Sequence, residues 1–77
     1  MNTEKGSWIY VGESKIPAYV INVISETEVS AGYYQNMTKA IKESFVWEGG
    51  VWEFKHSGPS GSYLSDHLES VVKRGPH

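Results

Sequence analysis

The fold of this chain is decided by residues 45–54, which read FVWEGGVWEF and are nearly the same in both directions. The stretch holds two of the three tryptophans and both phenylalanines of the 77-residue chain. A type I′ turn needs positive φ at both of its central positions, and glycine adopts positive φ without steric cost. The stretch is therefore predicted to be a β-hairpin that turns at Gly49 and Gly50.

The symmetry of this hairpin also predicts its register. Pairing outward from the turn places Trp47 opposite Trp52 and Phe45 opposite Phe54. Because side chains alternate along a strand, all four rings project from the same face. A covered aromatic ring buries on the order of 150–250 Å². We therefore expect the four rings to be excluded from water and to form much of the core of so small a domain.

The rest of the chain up to residue 48 is also predicted to form strands. Residues 39–44 could start a helix, but the alternation of Ile41, Phe45 and Trp47 favours a strand. Pro17 stands near the start of a long apolar run, where a strand tolerates a missing N–H. The run at 36–38 is a predicted loop. The predicted strands are residues 8–11, 16–24, 29–35 and 41–48, followed by the second arm of the hairpin.

The C-terminal segment has two interpretations. Apolar residues at 64, 68, 71 and 72 follow helical spacing, Ser65 is a suitable N-cap, and Gly75 with Pro76 would end the helix. A single tight turn at residues 65–68 followed by a last strand through Val71 and Val72 fits equally well. Local signals do not choose between the two.

The order of these features resembles the end of small SH3-like barrels. In such barrels a hairpin, a glycine-rich loop (here residues 58–62), an aromatic residue with leucine, a 3₁₀ turn (LSDHL) and a closing strand (ESVVKR) follow one another. The resemblance spans residues 8–74. It does not include an Ala-Leu-Tyr-Asp-Tyr-like stretch, so recognition of proline-rich peptides is not implied. Small proteins of phages and other mobile elements are also similar in build.

The composition predicts one small globular domain. The chain is 39% hydrophobic, 13% aromatic and 21% charged, which is typical of a folded protein rather than a disordered one. We expect a mostly β fold, a five- to six-stranded SH3-like barrel with a 3₁₀ turn or short helix near its C-terminus. The barrel would span residues 8–74, after a flexible N-terminus at 1–7 and before a tail at 75–77.

Several chemistries are not expected from this sequence. The absence of cysteine removes disulfides, thiolate catalysis and cysteine-ligated zinc. Ser65, Asp66 and His67 are the residue types of a hydrolytic triad, but consecutive side chains project apart, whereas a triad must converge. The other histidines, His56 and His77, have no spacing typical of a metal site. We therefore expect no catalytic residues, no metal and no cofactor.

The charge pattern bears on the class of partner. Seven Lys and Arg against nine Asp and Glu give a net charge of -2, with the two signs interspersed. Nucleic-acid binding usually requires clustered basic residues, so a nucleic-acid partner is not expected. Residues 1–7 are polar, and no apolar run reaches the length of a membrane span. A cytoplasmic protein without a membrane partner is the resulting expectation.

These observations favour a non-catalytic protein-binding or self-associating module with an aromatic-rich surface. The candidate binding residues are Trp8, Tyr33, Tyr34 and Tyr63, because neighbouring residues of a strand point to opposite sides and some of these rings should reach solvent. The partner would be another protein or a second copy of the chain. One alternative is a small enzyme whose active site forms at an oligomer interface, as in some SH3-like barrels. Another is a single-strand nucleic-acid binder that uses stacked aromatic rings.

Overall fold

The computed structural model describes residues 3–35, 39–56 and 61–76 of the chain. The predicted loop at 36–38 and residues 58–60 of the predicted glycine-rich loop lie outside these ranges. The described residues form six strands and one helix, which are β1 (Trp8–Val11), β2 (Ile16–Ser25), β3 (Glu28–Gln35), β4 (Lys39–Glu48), β5 (Val51–Phe54), β6 (Ser62–Tyr63) and α1 (Asp66–Arg74).

The first five strands close into a barrel. Each of them runs antiparallel to the next, so β5 runs parallel to β1 after four reversals. The two strands meet at Val11 and Trp52, and the N–H of Gly12 donates to the carbonyl oxygen of Trp52 at 2.8 Å. Strand β6 pairs with β4 at Ile41 and Tyr63. The predicted mostly β fold and small closed barrel are confirmed.

The hairpin at the centre of the sequence prediction has the predicted register. Trp47 lies opposite Trp52, and Phe45 lies opposite Phe54. Gly49 and Gly50 have φ values of 58° and 89°, the positive values that a type I′ turn requires. The opposed phenylalanine rings have centroids 4.9 Å apart.

The expectation that all four rings are excluded from water is wrong for Phe54. Phe45 and Trp52 are buried, Trp47 is half-buried against the core, and Phe54 is 39% exposed. Phe54 is the last residue of β5. Its described ring contacts are with Tyr33 and Phe45.

The core fills the interior of the barrel with alternate residues of its strands. Small and branched side chains on β1, β2 and β3 face the larger rings on β3, β4 and β5. A closed barrel of this size is filled by its own side chains rather than by a ligand. The clustered core residues are Ile9, Val11, Ala18, Val20, Val29, Ala31, Tyr33, Ile41, Phe45 and Trp52.

The C-terminal segment forms a helix, so the closing strand of the alternative interpretation is wrong. Helix α1 follows Ser65, whose backbone is extended but whose side chain makes no capping hydrogen bond, and Gly75 is its C-cap. The segment packs on the outside of β3, over Gly32. A Cβ at Gly32 would lie 2.5 Å from Leu64 Cδ1 and 2.9 Å from Val72 Cγ2. No helix in the described ranges is long and apolar enough to cross a membrane.

Candidate binding site

The barrel wall is open between the start of β1 and the tip of the β4–β5 hairpin. Strands β1 and β5 pair at a single position, Val11 with Trp52. Because the two strands are parallel, residues 8–10 run beside the hairpin tip without pairing to it. The opening results from how the barrel is closed: a single pair brings the first and fifth strands together, and the strands separate on one side of it.

A cleft of about 440 Å³ occupies this opening. Its volume lies within the range of roughly 300–1,000 Å³ that is usual for ligand-binding clefts. We call it the aromatic cleft, because four of its lining residues carry aromatic rings. The residues used below are Trp8, Tyr10, Lys15, Trp47, Val51 and Trp52.

Strand β1 presents Trp8 and Tyr10 to the cleft. Ile9 and Val11 alternate with them and lie in the core, so the two aromatic residues fall on the outer face of the strand. Tyr10 is 49% exposed. Trp8 is held from the other side by Tyr19, whose ring lies edge-on at 5.4 Å. One ring of the cleft is therefore fixed by packing and the other is open to solvent.

The hairpin supplies the opposite wall. Trp47 and Trp52 both line the cleft, but Trp52 is only 3% exposed whereas Trp47 is half-buried. Val51, at the tip, is also exposed. Trp52 therefore belongs mainly to the core, and Trp47 and Val51 are the hairpin residues available to a ligand.

The cleft also contains the open backbone edge of β1. The carbonyl oxygen of Ser7 accepts from the N–H of Val20 on β2 at 2.9 Å. Backbone groups of a strand alternate between its two edges, so Ser7, Ile9 and Val11 bond toward β2. The backbone groups of Trp8 and the N–H of Tyr10 therefore face the cleft, whereas the parallel pair at Val11 is formed through backbone groups of residues 10 and 12. The hydrogen bond from Gly12 to Trp52 follows the same alternation.

Lys15 brings a positive charge to the rim of the cleft. It ends the turn between β1 and β2, where its N–H donates to the carbonyl oxygen of Gly12 at 3.2 Å. Its side chain is exposed. A ligand in the cleft would therefore meet aromatic rings, a strand edge and one cation.

The four candidate binding residues of the sequence analysis do not meet in one place. Trp8 lines the aromatic cleft. Tyr33 lies in the core, where its ring contacts Phe45 and Phe54. Tyr34 is half-buried on the outer face. A role in binding stays a prediction for each of them.

Two of these tyrosines contact lysines. The Nζ atom of Lys73 on α1 lies 5.9 Å from the centroid of the Tyr34 ring. Tyr63 is strongly exposed on β6, and its hydroxyl accepts from Lys39 Nζ at 3.0 Å. Tyr63 and Lys39 line a smaller cavity of about 270 Å³ with Glu69. This second cavity contains one aromatic residue and no open strand edge of β1.

Sequence reasoning missed most of the aromatic cleft and one buried acid. Tyr10, Lys15 and Trp47 were not among the candidate binding residues. Glu43, which the sequence analysis did not single out, lies on the inward face of β4 opposite Ala31 and is 9% exposed. Within the described ranges, no group of three or more His, Asp and Glu residues is arranged to hold a metal ion.

Comparison with known proteins gave no match to a protein-family model, to a curated protein or to a solved structure.

Proposed function

We propose that this chain is a non-catalytic protein-binding module that holds an extended segment of its partner in the aromatic cleft. The observation that carries the proposal is the coincidence of exposed aromatic rings with an open strand edge at one place. Trp8 and Tyr10 lie on that edge, and Trp47 of the hairpin lines the same cleft. Extended peptides bind to open sheet edges through main-chain hydrogen bonds, and adjacent pockets read their side chains.

The lining of the cleft indicates the chemistry of the segment. A bulky apolar side chain would be covered between Trp8 and Trp47, because aromatic residues supply large contact area at low entropic cost. Lys15 at the rim favours a carboxylate beside that side chain. The proposed ligand is therefore an extended peptide with a bulky apolar residue and an acidic residue close to it.

The experiment is a selection from a displayed library of random peptides, followed by measurement of affinity. Selected peptides should share a bulky apolar residue next to Asp or Glu. Tyr10→Ala should weaken their binding by about tenfold or more, the effect of truncating an aromatic hot spot. Tyr63→Ala is the matched control, because Tyr63 is also an exposed tyrosine but lies outside the aromatic cleft.

Two outcomes would overturn the proposal. A library that yields no binding peptide would remove peptide recognition by this chain. Peptides whose binding depends on Tyr63 and not on Tyr10 would move the site to the smaller cavity. Circular dichroism of both variants shows whether each is folded, and so separates a folding defect from a binding defect.

The alternatives from the sequence stay predictions. An active site built at an oligomer interface and single-strand nucleic-acid binding have no observation in the described residues that favours them over peptide binding. The mobile-element resemblance likewise stays a prediction about origin.

A further inference from the structure

Strand β2 is longer than the strand that covers one of its edges. The register of β1 with β2 ends at Trp8 and Tyr19, and Ser7 and Gly6 then bond to Val20. Before these residues the chain turns away, since the N–H of Ser7 donates to the carbonyl oxygen of Glu4 at 3.1 Å. Within the described ranges, residues 21–25 therefore pair with β3 on one edge and with no strand on the other.

This free edge, residues 21–25, has the composition of a pairing surface. It reads INVIS and contains no charged residue, proline or glycine. Val23 and Ile24 are 44% and 56% exposed. The pairing with β3 shifts register on both sides of Val23, and such bulges bend a strand, which accounts for two neighbouring apolar residues both facing solvent. Exposed edges are normally protected by charge, proline or bulges. This one has no charge and no proline, and its two bulges leave Val23 and Ile24 exposed.

The ends of the free edge fix how a second copy of the chain would pair with it. On one side the edge begins after Val20, whose carbonyl oxygen already accepts from the N–H of Gly6 at 2.9 Å. On the other side β2 ends at Ser25 and the chain turns at 26–27. An antiparallel strand of the same length fills this space when Val23 faces Val23 of the second copy and Ile21 faces Ser25. This arrangement is two-fold symmetric, as most homodimer interfaces are.

The charges beside the free edge complement one another in this register. In this register Glu26 of each copy lies next to Val20 of the other. Gly6 is hydrogen-bonded to Val20, and Lys5 is the residue before Gly6. Glu26 and Lys5 are both exposed. The symmetric pairing therefore brings each Glu26 to the segment that carries Lys5, twice per dimer, and residues 21–25 themselves add no charge.

We infer that the chain forms a symmetric dimer in which the β2 edges pair antiparallel at residues 21–25, flanked by two Lys5–Glu26 ion pairs. The pairing joins two barrels into one continuous sheet. Residues 21–25 are not part of the lining of the aromatic cleft, although Thr3 and Ser7, on either side of Lys5, are. A dimer would therefore present two clefts to a partner.

Sedimentation equilibrium over a range of protein concentrations tests this inference. The wild-type chain should show a monomer–dimer equilibrium. Ile24→Lys should abolish the dimer, because a charge on the edge blocks strand pairing. Glu26→Lys and Lys5→Glu should each raise the dimer Kd by about tenfold, since each turns two attractions into two repulsions. The double variant, with both charges exchanged, should return to within about threefold of the wild type.

Two controls separate this interface from other surfaces. Glu13→Lys changes the charge of another exposed residue and should leave the dimer Kd unchanged. Tyr10→Ala should also leave it unchanged, so that failure of the dimer and failure of the proposed peptide binding are distinguishable. A chain that stays monomeric at millimolar concentration would overturn the inference, as would a dimer that is indifferent to Ile24→Lys and to both single charge reversals.

Discussion

Trp47 and Trp52 lie directly opposite each other across the hairpin, with ring centroids 5.5 Å apart and ring planes at 67°. Trp52 belongs to the pair that closes the barrel and lies in the core, and Trp47 remains accessible from the aromatic cleft. The two rings are in edge contact, a favourable geometry for aromatic pairs. The same contact therefore supports the fold and forms one wall of the candidate site.

This relationship has a consequence for mutagenesis. Removing Trp52 would disturb the core and the cleft together. A loss of binding in such a variant would not distinguish a lost ligand contact from a damaged fold. Tyr10 lines the same cleft but is largely exposed, and its removal should leave the fold intact.

The two opposed phenylalanines should differ in their contribution to stability. Phe45→Ala removes a fully buried ring and should cost about 3–5 kcal/mol of unfolding free energy. Phe54→Ala removes a ring that is already partly hydrated, so its cost should be clearly smaller, about half as large. Urea denaturation of the two variants measures the difference. Equal losses would contradict the partial exposure of Phe54.

Gly32 should be intolerant of a side chain because helix α1 and Leu64 pack on it. Gly32→Ala should cost about 1–3 kcal/mol through overpacking against Leu64 and Val72. Val72→Ala opens space at the same place, so the double variant should be less destabilised than the sum of the two single variants. Thermal or urea unfolding of the three variants completes the cycle. If the losses of unfolding free energy in the two single variants simply add in the double variant, Val72 does not pack against β3 at Gly32.

The turn of the hairpin should be limited by backbone conformation rather than by space. A Cβ at Gly49 would meet nothing within 4 Å, yet its φ is +58°. Gly49→Val should therefore cost about 1–2 kcal/mol, the usual penalty of the left-handed region for a residue with a side chain. Gly49→Asn, which tolerates that region, should cost less. A valine variant as stable as the asparagine variant would argue against a type I′ turn.

The hairpin could be predicted from the sequence because its information is local. Two glycines fix the turn, and the symmetry on either side of Gly49 and Gly50 fixes the register without reference to the rest of the chain. The burial of Phe54 could not be predicted in this way. It depends on where β5 ends and on what covers the ring from elsewhere.

The C-terminal segment shows the opposite case. Local signals in residues 65–74 did not choose between a helix and a strand, although a strand would place Val71 and Val72 on opposite faces. Gly32, more than 30 residues earlier in the chain, provides the flat surface on which Leu64 and Val72 pack. A contact between residues so far apart in the chain cannot be predicted from local sequence patterns.

Only part of the aromatic cleft could be predicted from the sequence. The alternation of Trp8 and Tyr10 with Ile9 and Val11 puts both rings on one face, and this signal could have added Tyr10 to the candidates. The proximity of Trp47 could not be predicted, because it requires the parallel closure of β1 against β5. Glu43 shares its parity with Phe45 on β4, so its inward position was also implied by the strand prediction.

The aromatic cleft is tested most directly by the indole N–H signals of the three tryptophans in a two-dimensional ¹H–¹⁵N spectrum, recorded while a library-selected peptide is added. Single Trp→Phe variants assign the three signals. Binding in the cleft should move the signals of Trp8 and Trp47 most, with Trp52 moving less because its ring is buried, and Tyr10→Ala should shift the titration to about tenfold higher peptide concentration. Saturable binding that leaves Trp8 and Trp47 unmoved would contradict the assignment of the aromatic cleft as the binding site.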